Sequence, residues 1–176
     1  MKEKIALTLA VMMAAAQMVV AASHGHMTAH NEEVPYVHAG EVAFMPNPWM
    51  EHESLSKAQK AAGLRLDIPS DIDRGIPVNF RTMNEENKVL EVIYRDAAGR
   101  ETARIRKAFG SYDISGDHVG YTSLERVAVG CHEAAIKGFD RNFAVAVWED
   151  NGYSYSLHLD RPVSRTVMRH LLADIE

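Results

Sequence analysis

The chain has 176 residues, a formal net charge of −5 and a single cysteine. The acidic balance excludes a general nucleic-acid binder, which needs a basic footprint, and one cysteine excludes an intramolecular disulfide. The length leaves room for one domain with a sizeable core and too little for two.

Residues 1–22 read as an export leader. Lys2 and Lys4 give the positive start, residues 5–16 an apolar run, and Val19, Val20, Ala21 and Ala22 the small residues at which a signal peptidase cuts. The alternative is a retained anchor, since the 18 residues from Ile5 to Ala22 sit at the lower limit for spanning a bilayer. An Ala- and Met-rich run that carries Gln17 and lacks a basic stop favours cleavage. Removing Lys2, Glu3 and Lys4 (net +1) with the leader leaves −6. The expected location is extracytoplasmic, with membrane contact only if the leader stays attached.

Residues 23–47 carry His24, His26, His30 and His38 with little apolar periodicity, and read as a lead-in to a domain over 48–176. An extended piece is expected at 42–45. Ser54 then caps a helix over 55–62, where Leu55, Ala58, Ala61 and Ala62 share a face and Gly63 supplies the stop. After Pro69 the period becomes two, which predicts strands over 76–83, 88–96 and 100–109, with a turn at 84–87 and another at Ala97-Ala98-Gly99. A Gly-, Asp- and Ser-rich break at 110–121 leads to four more strands, over 124–129, 132–139, 142–149 and 153–159. Asp150-Asn151-Gly152 between the last two is a tight-hairpin signal. The strand over 142–149 is apolar on both faces and reads as central, whereas Ser154, Ser156 and His158 give the last strand one wet face. Val167, Met168, Leu171, Leu172 and Ile175 predict a closing helix capped by Ser164. The fold class expected is α+β: an antiparallel sheet of about six to seven strands in a meander, with an N-terminal and a C-terminal helix packed on it.

Standard catalytic patterns fail on inspection, so no catalytic residue is assigned and a non-enzymatic binding or sensory role is expected. His132-Glu133 begins a zinc-protease pattern, but Ile136 stands where the second histidine belongs. Cys131 is expected to be buried, and beside His132 on a strand the two side chains should point apart. Three sets remain as candidate ligand sites. Arg104, Arg106 and Lys107 concentrate positive charge, with Arg104 and Arg106 on one wet face that suits an acidic envelope protein or an anionic envelope polymer. The histidines of the lead-in suit copper, nickel or zinc, which would make the chain an exported metal binder. Asp113, Ser115 and Asp117 begin like a loose calcium loop, yet His118 replaces the turn glycine and Leu124 the bidentate glutamate. A turn in which Asp and Ser bond their own backbone amides, with Gly116 relieving the bend, is the favoured reading of that last pattern. An envelope hydrolase with dispersed residues is the remaining alternative.

Asn47-Pro48-Trp49, the helix ending in Gly63, Arg106-Lys107-Ala108 with Gly110, Asp113-Ile114-Ser115-Gly116-Asp117, Lys137-Gly138, and Trp148 with Gly152-Tyr153-Ser154-Tyr155-Ser156 occur in an order with a precedent. From Asn47 to Ile175 it resembles a bacterial family of uncharacterised extracytoplasmic domains. That family is similar to C-terminal modules behind lipoprotein-sorting-like domains and in membrane-anchored regulatory proteins. The resemblance implies an exported, non-catalytic domain and carries over no site residue.

Overall fold

Alternating apolar residues build a sheet, and the computed structural model describes it over residues 47–83 and 88–175. The expected leader at 1–22, His24, His26, His30 and His38, the extended piece at 42–45 and the turn at 84–87 lie outside the described residues. In chain order the elements are β1 (Trp49–His52), α1 (Leu55–Ala62), β2 (Ile76–Met83), β3 (Val89–Arg95), β4 (Glu101–Phe109), β5 (Ser123–Val129), β6 (His132–Phe139), β7 (Asn142–Asp150), β8 (Tyr153–Ser164) and α2 (Arg165–Ala173). The sheet has eight strands in the order β1-β2-β3-β4-β8-β7-β6-β5, every neighbouring pair antiparallel. This corrects the single meander of six or seven strands: two four-stranded meanders meet where β4 pairs with β8. The additional strand is β1, an edge strand too short to show a period.

Both helices lie on one face, here called the inner face. Ala58 and Ala62 of α1, and Met168 and Leu172 of α2, join one buried core with Leu90, Val92, Tyr94, Ile105, Leu157 and Trp148. α1 packs on the β1–β3 half and α2 on β5, β7 and β8. The caps are those the sequence predicts. Ser54 Oγ accepts from Lys57 N at 3.4 Å, Gly63 takes a φ of +69° at the end of α1, and Ser164 Oγ accepts from Val167 N at 3.4 Å. The β7–β8 turn takes positive φ at Asn151 (+50°) and Gly152 (+81°), the backbone a two-residue hairpin requires.

Two features of β8 depart from expectation. It continues beyond Leu159 to Ser164, because the pairing with β7 jumps between Phe143 and Val145 and leaves residues around Pro162 bulged, where a missing N–H costs nothing. It is also central and covered on both faces, with Ser154 and Ser156 buried. The cover is residues 110–122, which must carry the chain from β4 in the middle of the sheet to β5 at its far edge. Ser154 Oγ donates to Gly110 O and accepts from Tyr112 N, both at 2.9 Å. Ile114 packs with Val89 and Ala108 beneath it.

Candidate functional site

On the outer face the strand register lines up one row of side chains across the sheet: Arg81, Glu91, Arg106, Ser156, Val147, Ala135 and Arg126. The first half of the row is a closed polar cluster. Glu91 is 0 % exposed, and a carboxylate shut away from water needs cations and donors about it. Arg81 Nε donates to its Oε1 at 2.7 Å, Arg106 Nε to its Oε2 at 2.8 Å, and Arg104 Nε stands 3.6 Å from Oε2. Arg106 Nη1 also donates to the carbonyls of Ile114 (2.9 Å) and Ser115 (2.8 Å), which ties the crossing loop to the sheet. The guanidinium groups of Arg81 and Arg106 lie 5.2 and 5.4 Å from the Trp49 ring centroid.

That arrangement corrects the picture of an open basic patch at Arg104, Arg106 and Lys107. The Arg106 side chain is only 14 % exposed, and Arg104 spends its charge on Glu101 at 2.7 Å as well as facing Glu91. Lys107 points to the inner face and is buried, its ammonium 5.0 Å from the Tyr153 ring and 4.6 Å from the Tyr155 ring. Glu91 and Glu101 offset two of the three guanidinium charges, and the loop closes over Arg106. Neither is visible in a list of charged residues, because alternation alone places Glu91 on a face without saying what lies over that face.

The second half of the row is open. Between the loop and strands β5–β7 runs a groove of about 410 Å³ lined by Tyr112, Asp113, Arg126, Glu133, Val147 and Glu149, with Ala135 on its floor. Three carboxylates stand against one guanidinium. Arg126 Nη1 donates to Glu133 Oε2 at 3.1 Å, and Lys137 Nζ donates to Asp113 Oδ2 at 2.7 Å. Beside the groove, Leu124 pairs with Lys137 across the strands and is 70 % exposed, and Phe139 packs against Tyr121 with ring centroids 5.2 Å apart.

The oxygens of Asp113, Ser115 and Asp117 serve the loop itself. Asp113 Oδ1 accepts from Ser115 N at 2.8 Å, Ser115 Oγ from Asp117 N at 3.3 Å, and Asp117 Oδ1 from Val119 N at 2.9 Å. The remaining Asp117 oxygen accepts from the Tyr121 hydroxyl. Burial raises the pKa of both aspartates, but hydrogen bonds, led by Lys137 at Asp113 and Tyr121 at Asp117, outweigh it and hold both below the usual carboxylate value. The Tyr121 phenol is pushed up to about 12 by burial and by that same bond. His158, in the row next to the groove, is held below its ordinary value by burial and by Arg104, against the opposing pull of Asp117, Glu101 and Asp160.

Cys131 is exposed, which overturns its expected burial. It sits with Gly130 (φ +57°) in the turn between β5 and β6, so its side chain is free of the strand alternation that was expected to separate it from His132. No helix of the described residues is long and apolar enough to cross a membrane. Comparison of the chain with protein-family models, with curated proteins and with solved structures gives no match.

Proposed function

We propose that the chain is an exported, non-catalytic binding domain of the cell envelope that receives a protein partner in the groove of its outer sheet face. One observation carries the reading. The helices cover the inner face and residues 110–122 cover the middle of the outer face, which leaves a groove over β5–β7 with an apolar floor and a charged rim. Exposed Leu124 and Phe139 beside it are the apolar residues a protein partner would bury. Charge favours a protein segment with basic side chains over an anionic polymer, since the lining holds more carboxylates than cations. Export rests on the pattern of residues 1–22.

A photo-crosslinking residue at Ala135, with a control at exposed His170 on α2, tests the groove. A protein adduct from position 135 and none from 170 is the expected result; equal labelling at both, or none, removes the reading. Mass spectrometry of the mature amino terminus tests export separately, and a chain that retains Met1 in the cytoplasm ends that part of the proposal.

A further inference from the structure

Away from the groove, at the end of the inner face, three side chains of metal-binding type converge. One ligand atom from each of Cys131, His132 and Asp150 lies within 4.8 Å of the other two. They open on a cavity of about 270 Å³ whose wall includes Val129, Tyr155, Leu172 and Ile175. Two turns bring the trio together. The β5–β6 turn presents Cys131, and the β6–β7 register places the start of β6 beside the end of β7, where Asp150 stands.

We propose that Cys131, His132 and Asp150 form a site for a divalent transition-metal ion of the zinc type, with the fourth position open to the cavity. Thiolate, imidazole and carboxylate are the donors zinc takes, and three protein ligands with one vacant position is an open-site pattern. Bond lengths of about 2.0–2.3 Å in a tetrahedron put donors roughly 3.3–3.8 Å apart, so closing on an ion needs each donor to move by less than about 1 Å. Cys131 in its turn and Asp150 at the hairpin end can make that movement. His132 supplies the fixed point, for its ring stacks on Trp148 at 6.1 Å and 12°, and Trp148 stacks on Tyr155 at 5.1 Å and 9°. His132 Nε2 is also buried without a hydrogen-bond partner, and a buried polar atom in that condition calls for a ligand.

The shape of the cluster favours a metal over thiol catalysis. In a nucleophile–base–acid relay the thiol and the carboxylate bond opposite nitrogens of the imidazole. Here one sulfur, one ring nitrogen and one carboxylate oxygen all lie within 4.8 Å of one another, closer than a thiol and a carboxylate on opposite sides of an imidazole would stand. Binding M²⁺ displaces the Cys131 thiol proton to solvent, and the thiolate and the Asp150 carboxylate then balance the ion's charge.

Titration of the full chain with Co²⁺, read by thiolate-to-metal absorption and by Trp148 quenching, and with Zn²⁺ by calorimetry, tests the site. One equivalent should bind with the thiolate band present. C131S should abolish the band, and H132Q and D150N should each weaken binding by at least the roughly tenfold that losing even a supporting contact costs a metal site. A variant with His24, His26, His30 and His38 replaced by Ala should keep the band. Zn²⁺ should also slow alkylation of Cys131 in the wild type and not in D150N. Because Cys131 is exposed, C131S is expected to melt as the wild type does, which separates loss of a ligand from loss of fold. No thiolate band in the wild type, or a band of unchanged affinity in both H132Q and D150N, would overturn the proposal.

Discussion

Glu91→Gln is the sharpest test of how the outer face is built. The substitution keeps the side-chain shape and one carbonyl acceptor, removes the negative charge, and turns an amide toward arginines that can only donate. Removing one partner of a buried ion pair costs about 3–5 kcal/mol, because the remaining charges stay desolvated. Part of that loss is softened here. Arg106 keeps its bonds to Ile114 O and Ser115 O, Arg104 keeps Glu101, and Arg81 and Arg106 keep the Trp49 ring. The lower end, about 3 kcal/mol, is therefore expected. For a domain of this size that lowers Tm by about 12 °C, at roughly 4 °C per kcal/mol. Thermal melts followed by circular dichroism measure the shift. The deficit should be equal at low and high salt, since screening acts on exposed charges and hardly reaches this one. Arg104→Gln should cost no more than about 1 kcal/mol, its side chain being 30 % exposed and the exposed half of its pairing weak. A Glu91→Gln protein that melts within about 2 °C of wild type, or one whose deficit disappears in salt, would show that the carboxylate is not the anchor of the cluster.

Other elements give tests of their own. His158 has a folded-state pKa below its ordinary 6.5, so the unfolded chain binds more protons between the two values. Its contribution to stability is then complete above 6.5 and is lost as pH falls toward the folded value. Tm should drop on acidification through that window, and His158→Asn should flatten the drop; an equal slope in the variant refutes the assignment. Gly138→Ala should destabilise by about 3 kcal/mol, the upper part of the range for overpacking, because a Cβ there would stand 1.8 Å from Asn142 O. Chemical denaturation measures it, and a midpoint unchanged from wild type would mean the β6–β7 hairpin opens freely.

The parts of the fold legible in sequence are those with a local cause. The caps at Ser54, Gly63 and Ser164 act within a turn of helix, and the alternation in β3, β4 and β8 needs only the strand's own residues. The parts that were not legible depend on what the chain does at a distance. β1 has four residues, too few for a period, and is a strand because β2 offers it an edge. Glu91 alternates correctly to the outer face, but its burial is imposed by the loop that crosses from β4 to β5. The basic character of Arg104 and Arg106 follows from the same incomplete picture, and the loop and Glu91 together enclose and partly offset that charge.

The Cys131, His132 and Asp150 cluster shows how close the sequence came to giving a site. Counting outward from the positive-φ turn at Asp140 and Arg141 pairs His132 with Glu149, one residue short of Asp150. The register jumps by one between Lys137 and Gly138, so that Gly138 faces Phe143 while Lys137 faces Val145, leaving Ala144 as the extra residue. Continued from Ala134 and Trp148, the shifted register sets His132 opposite Asp150 and on the same face. A one-residue slip exchanges the two faces of a strand, so without the bulge Asp150 would turn to the opposite face and Glu149 would stand across from His132 in its place. Gly138 makes that bulge possible by leaving the space a side chain would take from Asn142 O. Gly138 thus decides which acid meets the histidine, and the metal titration of Gly138→Ala, at temperatures where it remains folded, should show a cobalt affinity different from wild type, because Glu149 then replaces Asp150 beside His132; an unchanged affinity would show that the bulge survives the substitution.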